Sequence, residues 1–355
     1  METDVLIVGG GLSGLALADH LARRRTDFRL VEAQNRLGGR VLTKTLGGGA
    51  FDMGPAWFWP GQPRMADLAQ RFEIPVFEQF STGDLVFQDQ TGAVQRGRGF
   101  ASMEGSFRLS GGMGRLIDAL SNTLDPSRVL TETRLAKVDT GANRNVAHLT
   151  QQGVPLTIEA NHVVLALPPR VIAETLAFEP PLRAASLQVL QDVPTWMAGQ
   201  AKIIAVYDAP HWRDAGLSGD AMSQRGPVVE IHDASPDKGG PYALFGFVGV
   251  PPEVRQTHKD DMMQLALSQL IALFGPEMAE PRELILKDWA LVPEIARAAD
   301  RKPLTHHPSY GLPASLQSLS SAGIHFGSTE TAPEFGGYLE GALEAAERVA
   351  DALAR

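Results

Sequence analysis

Three glycines set directly after a short apolar run carry the first recognisable chemistry in this chain. Asp4 to Val8 is followed by Gly9, Gly11 and Gly14, and a second apolar run, FRLVEA, closes on Glu32. Strand, tight turn, helix and strand in that order form a βαβ unit for a dinucleotide. Gly9 permits the turn, Gly11 lets a pyrophosphate approach the backbone, and Gly14 lets the helix pack closely on the sheet. The helix starting near Leu12, with Ser13 in its first turn, points its N-terminal amides at the phosphates. A carboxylate at Glu32, next to Ala33, accepts hydrogen bonds from the ribose hydroxyls of an adenosine and repels a 2′-phosphate. FAD or NAD is therefore favoured over NADP.

Arg36, Gly38, Gly39 and Arg40 in the run NRLGGR extend this site. The two glycines expose backbone amides, and the arginines supply charge-assisted donors to a diphosphate. Much later in the chain Lys202 lies inside the apolar run AKIIAVYD, where an ammonium needs a partner or a special role. His306 and His307 are candidate bases, but adjacent loop histidines are commonly solvated and no acidic partner is legible. His325 alternates within a strand. No His/Asp/Glu spacing suggests a metal site.

The elements that must position these groups follow from pattern. A helix is expected from Arg64 to Phe72, a hairpin over DLVFQDQTGAVQRGRG with its turn near Gly92, and a helix from Gly112 to Leu124. RLAKVDT, VAHLTQQ and PLTIEANHVVLALPP read as a β-meander whose last strand is stopped by Pro168 and Pro169. Strands follow in AKIIAVYD, VVEIHD and YALFGFVG, with a helix from about Asp260 to Phe274. The chain closes with strand GIHFGS and a helix from Leu339 to Ala354. Parallel-sheet logic places that last strand beside the first one, so the nucleotide-binding domain is discontinuous.

Composition bounds the rest. With 355 residues and 44% hydrophobic content the chain can bury a large core and divide into two domains. A net charge of −9 without a basic cluster argues against nucleic acid. The N-terminus enters its first strand at once, leaving no room for a signal peptide, and no apolar run approaches the ~20 residues of a membrane span. The expectation is a soluble cytoplasmic protein, monomeric or homodimeric. The absence of cysteine excludes disulfides, thiolate metal sites and a thiol nucleophile.

The NRLGGR extension resembles the glutathione-reductase-like FAD-binding fold, in particular its amine oxidase branch. The block HFGSTETAPEFGGYLEGALEAAERVADAL is similar to the corresponding block of flavin-containing monoamine oxidases. The resemblance implies that the helix start at Gly337, Tyr338, Leu339 and Ala342 lies against the pyrimidine end of the isoalloxazine. Its positive end would stabilise charge on reduced flavin. Gly327 and Ser328 lie in the turn before it. GQAKIIAVYDAPHWR resembles the family strand whose lysine reaches flavin N5 through a water, which makes Lys202 a catalytic candidate. DMGPAWFW, with Asp52, Gly54, Pro55 and Ala56, resembles a segment passing close to the flavin. Val138 falls where the family contacts the adenine side, and Trp289 resembles a tryptophan walling the flavin region; both also suit plain core packing. The fold implied is α/β, a discontinuous glutathione-reductase-like Rossmann domain (1–72, 126–190 and 312–355) plus an α+β substrate domain (73–125 and 191–311) with a mixed or antiparallel sheet.

Two departures restrict what the resemblance implies. Monoamine oxidases hold the substrate amine between two aromatic rings, and Tyr338 matches one. The other should fall between Ala299 and His306, where no tyrosine or phenylalanine occurs before Tyr310. With one ring, substrate identity is open. The chain also lacks the cysteine that carries covalent flavin in the animal enzymes, so FAD is expected to be noncovalent. The stretch between Asp84 and Gly112 is shorter than the family's substrate domain, which predicts a more open cavity suited to a bulkier or tethered substrate, or closed by another subunit.

The implied reaction is oxidation of a neutral amine by hydride transfer to flavin N5, giving an imine and then an aldehyde, with oxygen returning the flavin and yielding hydrogen peroxide. Two alternatives stand beside it: a flavin desaturase or dehydrogenase acting on C–C bonds, and a noncatalytic flavin-binding partner subunit.

Overall fold

A computed structural model describes residues 1–355 except positions 98, 100, 142, 303 and 355, so the tail of the expected hairpin at Arg98 and the chain end at Arg355 lie outside the described residues. The βαβ unit forms as the pattern requires: strand Glu2–Val8, helix Leu12–Arg23 and strand Phe28–Val31, the two strands paired in parallel. The helix is buried on nearly every side, and its Leu15, Leu17 and Leu21 share one core cluster with Val5 and Ile7 of the first strand.

The expected meander is present as Thr133–Asp139, Asn145–Gln151 and Val154–Leu165, antiparallel throughout. Its last strand does double duty: the second half, Glu159 to Leu165, runs parallel to the first strand of the chain. This corrects one expectation. The returning strand Ile324–Phe326 pairs with Val163 to Leu165, and not with the first strand. Both edges of the first strand are already taken, by Phe28–Val31 and by the long strand, so the incoming strand finds the one open parallel edge. The resulting eight-stranded sheet draws on residues far apart in sequence.

A second sheet has seven strands in the order Glu283–Asp288, Ala201–Tyr207, Tyr242–Val248, Val228–Asp233, Leu217–Ser223, Asp84–Gln88 and Val94–Gly97. It is antiparallel except for the pair Leu217–Ser223 with Asp84–Gln88, so the sheet is mixed. Leu217–Ser223 was not foreseen, because its Ser, Gly and Asp residues hide the β pattern. Alternation sets its two faces. Ile203, Ala205 and Tyr207 pack under helix Lys259–Phe274, while Ile204, Val206 and Phe245 pack against Phe51 and Met53. The second face is thereby turned toward the segment that follows NRLGGR.

Helix Gly114–Asn122, expected with the substrate domain, belongs to the other core. Its Leu116, Ile117 and Leu120 form an apolar stripe packed in one cluster with Leu15 and Leu339. Among the described residues no helix is long and apolar enough to cross a membrane.

Candidate active site

Helix–strand proximity at the glycine turn is dictated by what a side chain would meet. A Cβ on Gly14 would lie 1.9 Å from the Gly9 carbonyl oxygen, and Gly9 itself has φ +110°. Gly11 differs: a Cβ there would have no neighbour nearer than 4.0 Å, so the space above it is open. The N–H groups of Leu12, Ser13 and Gly14 begin the helix without carbonyl partners one turn back. Gly38 and Gly39 close the other side of this opening: Gly11 and Gly38 form a backbone bridge, and the Gly38 N–H donates to Gly10 O at 2.8 Å. An open cradle ringed by backbone amides fits the diphosphate of a dinucleotide.

Glu32 stands at the end of its strand with both oxygens engaged, accepting from Gly10 N at 2.8 Å and from Gln34 N at 2.7 Å. Burial raises its carboxyl pKa, opposed by these two amides. Each oxygen keeps a lone pair for a ribose hydroxyl. Ala33 lines a surface cavity of about 480 Å³ shared with Glu132, Arg134 and Thr150. Arg134, absent from the sequence reading, is the cationic group of that cavity.

The two arginines are placed differently from expectation. Arg36 donates to the Leu37, Gly39 and Val41 carbonyls of its own loop. Arg40 forms a bidentate pair with Glu330, at 2.6 and 3.1 Å. Both guanidinium groups are thus directed at protein acceptors, because the loop carbonyls and a buried carboxylate lie within their reach. Arg40 fastens the glycine loop to the C-terminal block. A second fastening is the Ser13 hydroxyl, which donates to the Gly327 carbonyl. Ser328 lies buried beside it.

Lys202 is only 4% exposed. Its Nζ donates to the carbonyls of Asp52 at 3.1 Å and Gly54 at 2.7 Å and lies 4.1 Å from the centre of the Phe245 ring. Burial lowers its pKa to about 7, the nearby Asp52 carboxylate opposing that shift. Asp52 is held by the Thr43 hydroxyl and accepts from Met113 N at 3.0 and 3.1 Å, which anchors the start of helix Gly114–Asn122. Gly54 is another enforced glycine: a Cβ would sit 2.1 Å from Arg40 O. Pro55 and Ala56 lead to Trp57 and Trp59. Trp57 packs on Phe245, and Trp59 meets the Tyr338 ring edge-on at 6.1 Å.

Tyr338 precedes helix Leu339–Ala352 and remains 36% exposed. The Thr329 hydroxyl donates to its carbonyl at 2.8 Å and accepts from Gly337 N at 3.0 Å. Its ring stacks on His307, which the sequence marks only as a candidate base, with centroids 4.8 Å apart and planes inclined by 11°. His306 is exposed on the loop. Trp196 and Tyr310 flank His307 edge-on, and His307 Nε2 is buried without a hydrogen-bond partner among the described residues. The expected second ring, a Tyr or Phe between Ala299 and His306, does not occur there, and the imidazole that touches Tyr338 lies one residue beyond that stretch.

The remaining candidates separate. Trp289 donates through Nε1 to Met53 O at 2.9 Å and so lies against the Asp52–Gly54 segment. Leu339 and Ala342 are buried in the core beside the first helix. Val138 is also core, packed with Leu6, Val8 and Val31, and at the start of its strand Thr133 N donates to Glu32 O. Among the described residues no group of three His, Cys, Asp or Glu side chains is placed to hold a metal.

The sequence matches the family model for flavin containing amine oxidoreductases over residues 95–354 and that for an NAD(P)-binding Rossmann-like domain over residues 7–72. It is 27% identical to AofH of Mycobacterium tuberculosis, named as a flavin-containing monoamine oxidase, across 99% of this chain and 96% of that protein. It is 22% identical to a putrescine oxidase of Kocuria rosea over 79% and 80% of the two chains. Its fold is that of cyclohexylamine oxidase from Brevibacterium oxydans, with a TM-score of 0.82, 19% identity and full coverage of both chains. The family match spans well over half of the sequence, and the open glycine cradle fits the cofactor that the family's name requires. The chain belongs to the flavin-containing amine oxidoreductase family.

Proposed function

We propose that this protein oxidises an amine to an imine, and through it an aldehyde, with noncovalently bound FAD as hydride acceptor and oxygen as final acceptor. The observation that carries the reading is the convergence on residues 52–59. Their Asp52 and Gly54 carbonyls hold the Lys202 ammonium, and Trp59 reaches the Tyr338–His307 stack. FAD held there would supply a two-electron acceptor that oxygen can reoxidise, with release of hydrogen peroxide.

Each residue then has a definable task. Gly11, Gly38 and Gly39 with the first amides of the helix receive the diphosphate, and Glu32 receives the ribose. Lys202, with a pKa near neutrality, holds a proton at Nζ and releases it within the working range. The exposed side of Tyr338 offers an aromatic surface to an amine.

The test is a peroxide assay in air against primary, secondary and polyamines, scored with aldehyde formed. Equal amounts of peroxide and aldehyde from one amine class are expected; flavin-loaded protein that makes neither would refute the proposal. Lys202→Met should slow reoxidation of reduced flavin by oxygen at least tenfold more than it slows reduction by amine. Unchanged reoxidation would remove the lysine from that half-reaction.

A further inference from the structure

The flavin-side face of the seven-stranded sheet carries a carboxylate that neither the cofactor nor Lys202 uses. Reading one row across that face, Phe87 pairs with Met222, Met222 with Glu230, Glu230 with Phe247, and Phe247 with Lys202. Directly paired residues point to the same side of a sheet. Ile231 packs into the opposite, helix-covered core, which confirms the side on which Glu230 lies. The row runs from solvent inward: Met222 is 48% exposed, Phe87 39%, the Glu230 side chain 26%, and Lys202 is buried.

Glu230 is fixed, not waving. Its Oε1 accepts from the Ser102 hydroxyl at 2.9 Å and pairs with His232 Nε2 at 2.9 Å. His232 Nδ1 pairs with Asp220 at 2.6 Å, and the imidazole lies under the Trp57 and Phe245 rings that also face Lys202. Burial opposes protonation of His232, but its bonds to Asp220 and Glu230 outweigh it and raise the pKa. One imidazole is thus held between two carboxylates, and Glu230 is the one of them that stands in the row with Phe87, Met222 and Phe247. Glu230 Oε2 has no donor among the described residues. The carboxylate stands two strand spacings, roughly 10 Å, from the Lys202 position.

We infer that Glu230 binds the second, non-reacting cationic group of an α,ω-diamine or polyamine whose other nitrogen is oxidised near Lys202. The inference rests on the reading of the site as an amine oxidase. An apolar stretch, Phe247, separates the two ends, as the methylenes of such a substrate require, and the exposed end of the row leaves room for a longer chain.

The test uses holoenzyme and the diamines from 1,3-diaminopropane to 1,8-diaminooctane beside the n-alkylamines of equal carbon number. The expected result is a kcat/KM for the best diamine at least tenfold above that of its alkylamine. In Glu230→Gln that ratio should fall at least tenfold, chiefly through KM. Glu230→Asp, which keeps the charge but shortens its reach, should move the preferred length one methylene longer, a change that loss of packing would not produce. Met222→Lys, at an exposed position beside Glu230 in the row, should also lower the diamine preference. Alkylamines equal to or better than every diamine in the wild type, or an unchanged ratio in Glu230→Gln, would overturn the inference. Failure of every amine to reduce the flavin would defeat the amine oxidase reading, and binding then decides the Glu230 site separately. The unoxidisable 1,6-bis(trimethylammonium)hexane, followed by the absorbance shift of bound flavin, should bind at least tenfold more tightly than hexyltrimethylammonium in the wild type but not in Glu230→Gln. Equal binding of the two in the wild type would overturn it.

Discussion

Lys202 keeps its amine in the interior because three things meet there: two carbonyls to accept from it, an aromatic face, and a buried carboxylate nearby. The folded protein still releases the proton at about 7, far below the ordinary lysine value, because burial disfavours the charge. The unfolded chain holds its proton up to about pH 10.4, so stability rises as pH climbs from 7 toward that value. Between pH 7 and 9 the gain should be about 2–3 kcal/mol, and Lys202→Met should abolish it. Urea titrations of both proteins at the two pH values measure this, and parallel pH dependences would contradict it. Two glycines make a paired prediction. Gly11→Ala should leave the stability of the apoprotein within about 1 kcal/mol while weakening FAD binding, since its Cβ enters open space. Gly14→Ala should lose both, because its Cβ would occupy the Gly9 carbonyl. FAD retained per polypeptide and the denaturant midpoint separate the two outcomes. Equal losses in both variants would show that Gly11 is structural only.

At the scale of elements, the ion pair between Arg40 and Glu330 ties the glycine loop to the segment before the last helix. Glu330 is fully buried, so Glu330→Gln strands a guanidinium and should cost about 3–5 kcal/mol, read as a lower urea midpoint together with loss of FAD. A midpoint within error of wild type would show that the pair contributes nothing net. These elements also show how much sequence can convey. The first βαβ unit, the meander and the last helix were legible because their signals are local: glycine spacing, alternation and apolar periodicity. The partner of Ile324–Phe326 was not, since edge occupancy depends on strands placed by the rest of the chain. Leu217–Ser223 escaped notice for its polar composition, and helix Gly114–Asn122 carries a stripe that does not say which core it will meet. At the site, Lys202 stood out as a charge in an apolar run. The Tyr338–His307 stack, Arg40–Glu330 and the row ending at Glu230 are contacts between distant segments with no local signature.

On the scale of the molecule, the seven-stranded sheet packs on Phe51 and Met53 while Phe58 joins the core around the first helix, and the groups around the glycine cradle come from both ends of the chain. A ligand bound there holds those ends together. FAD should therefore stabilise the whole protein by mass action, by about 2.7 kcal/mol at a hundredfold excess over Kd, and the melting temperature should rise with added FAD. A melting temperature independent of FAD would mean that the cradle does not bind it in the native state.

The most direct test of the account is an absorbance titration of FAD-loaded protein with amines in the absence of oxygen, followed by admission of air. The account predicts that one class of amine bleaches the flavin band and that air restores it with formation of hydrogen peroxide. A flavin band that no amine bleaches would contradict it.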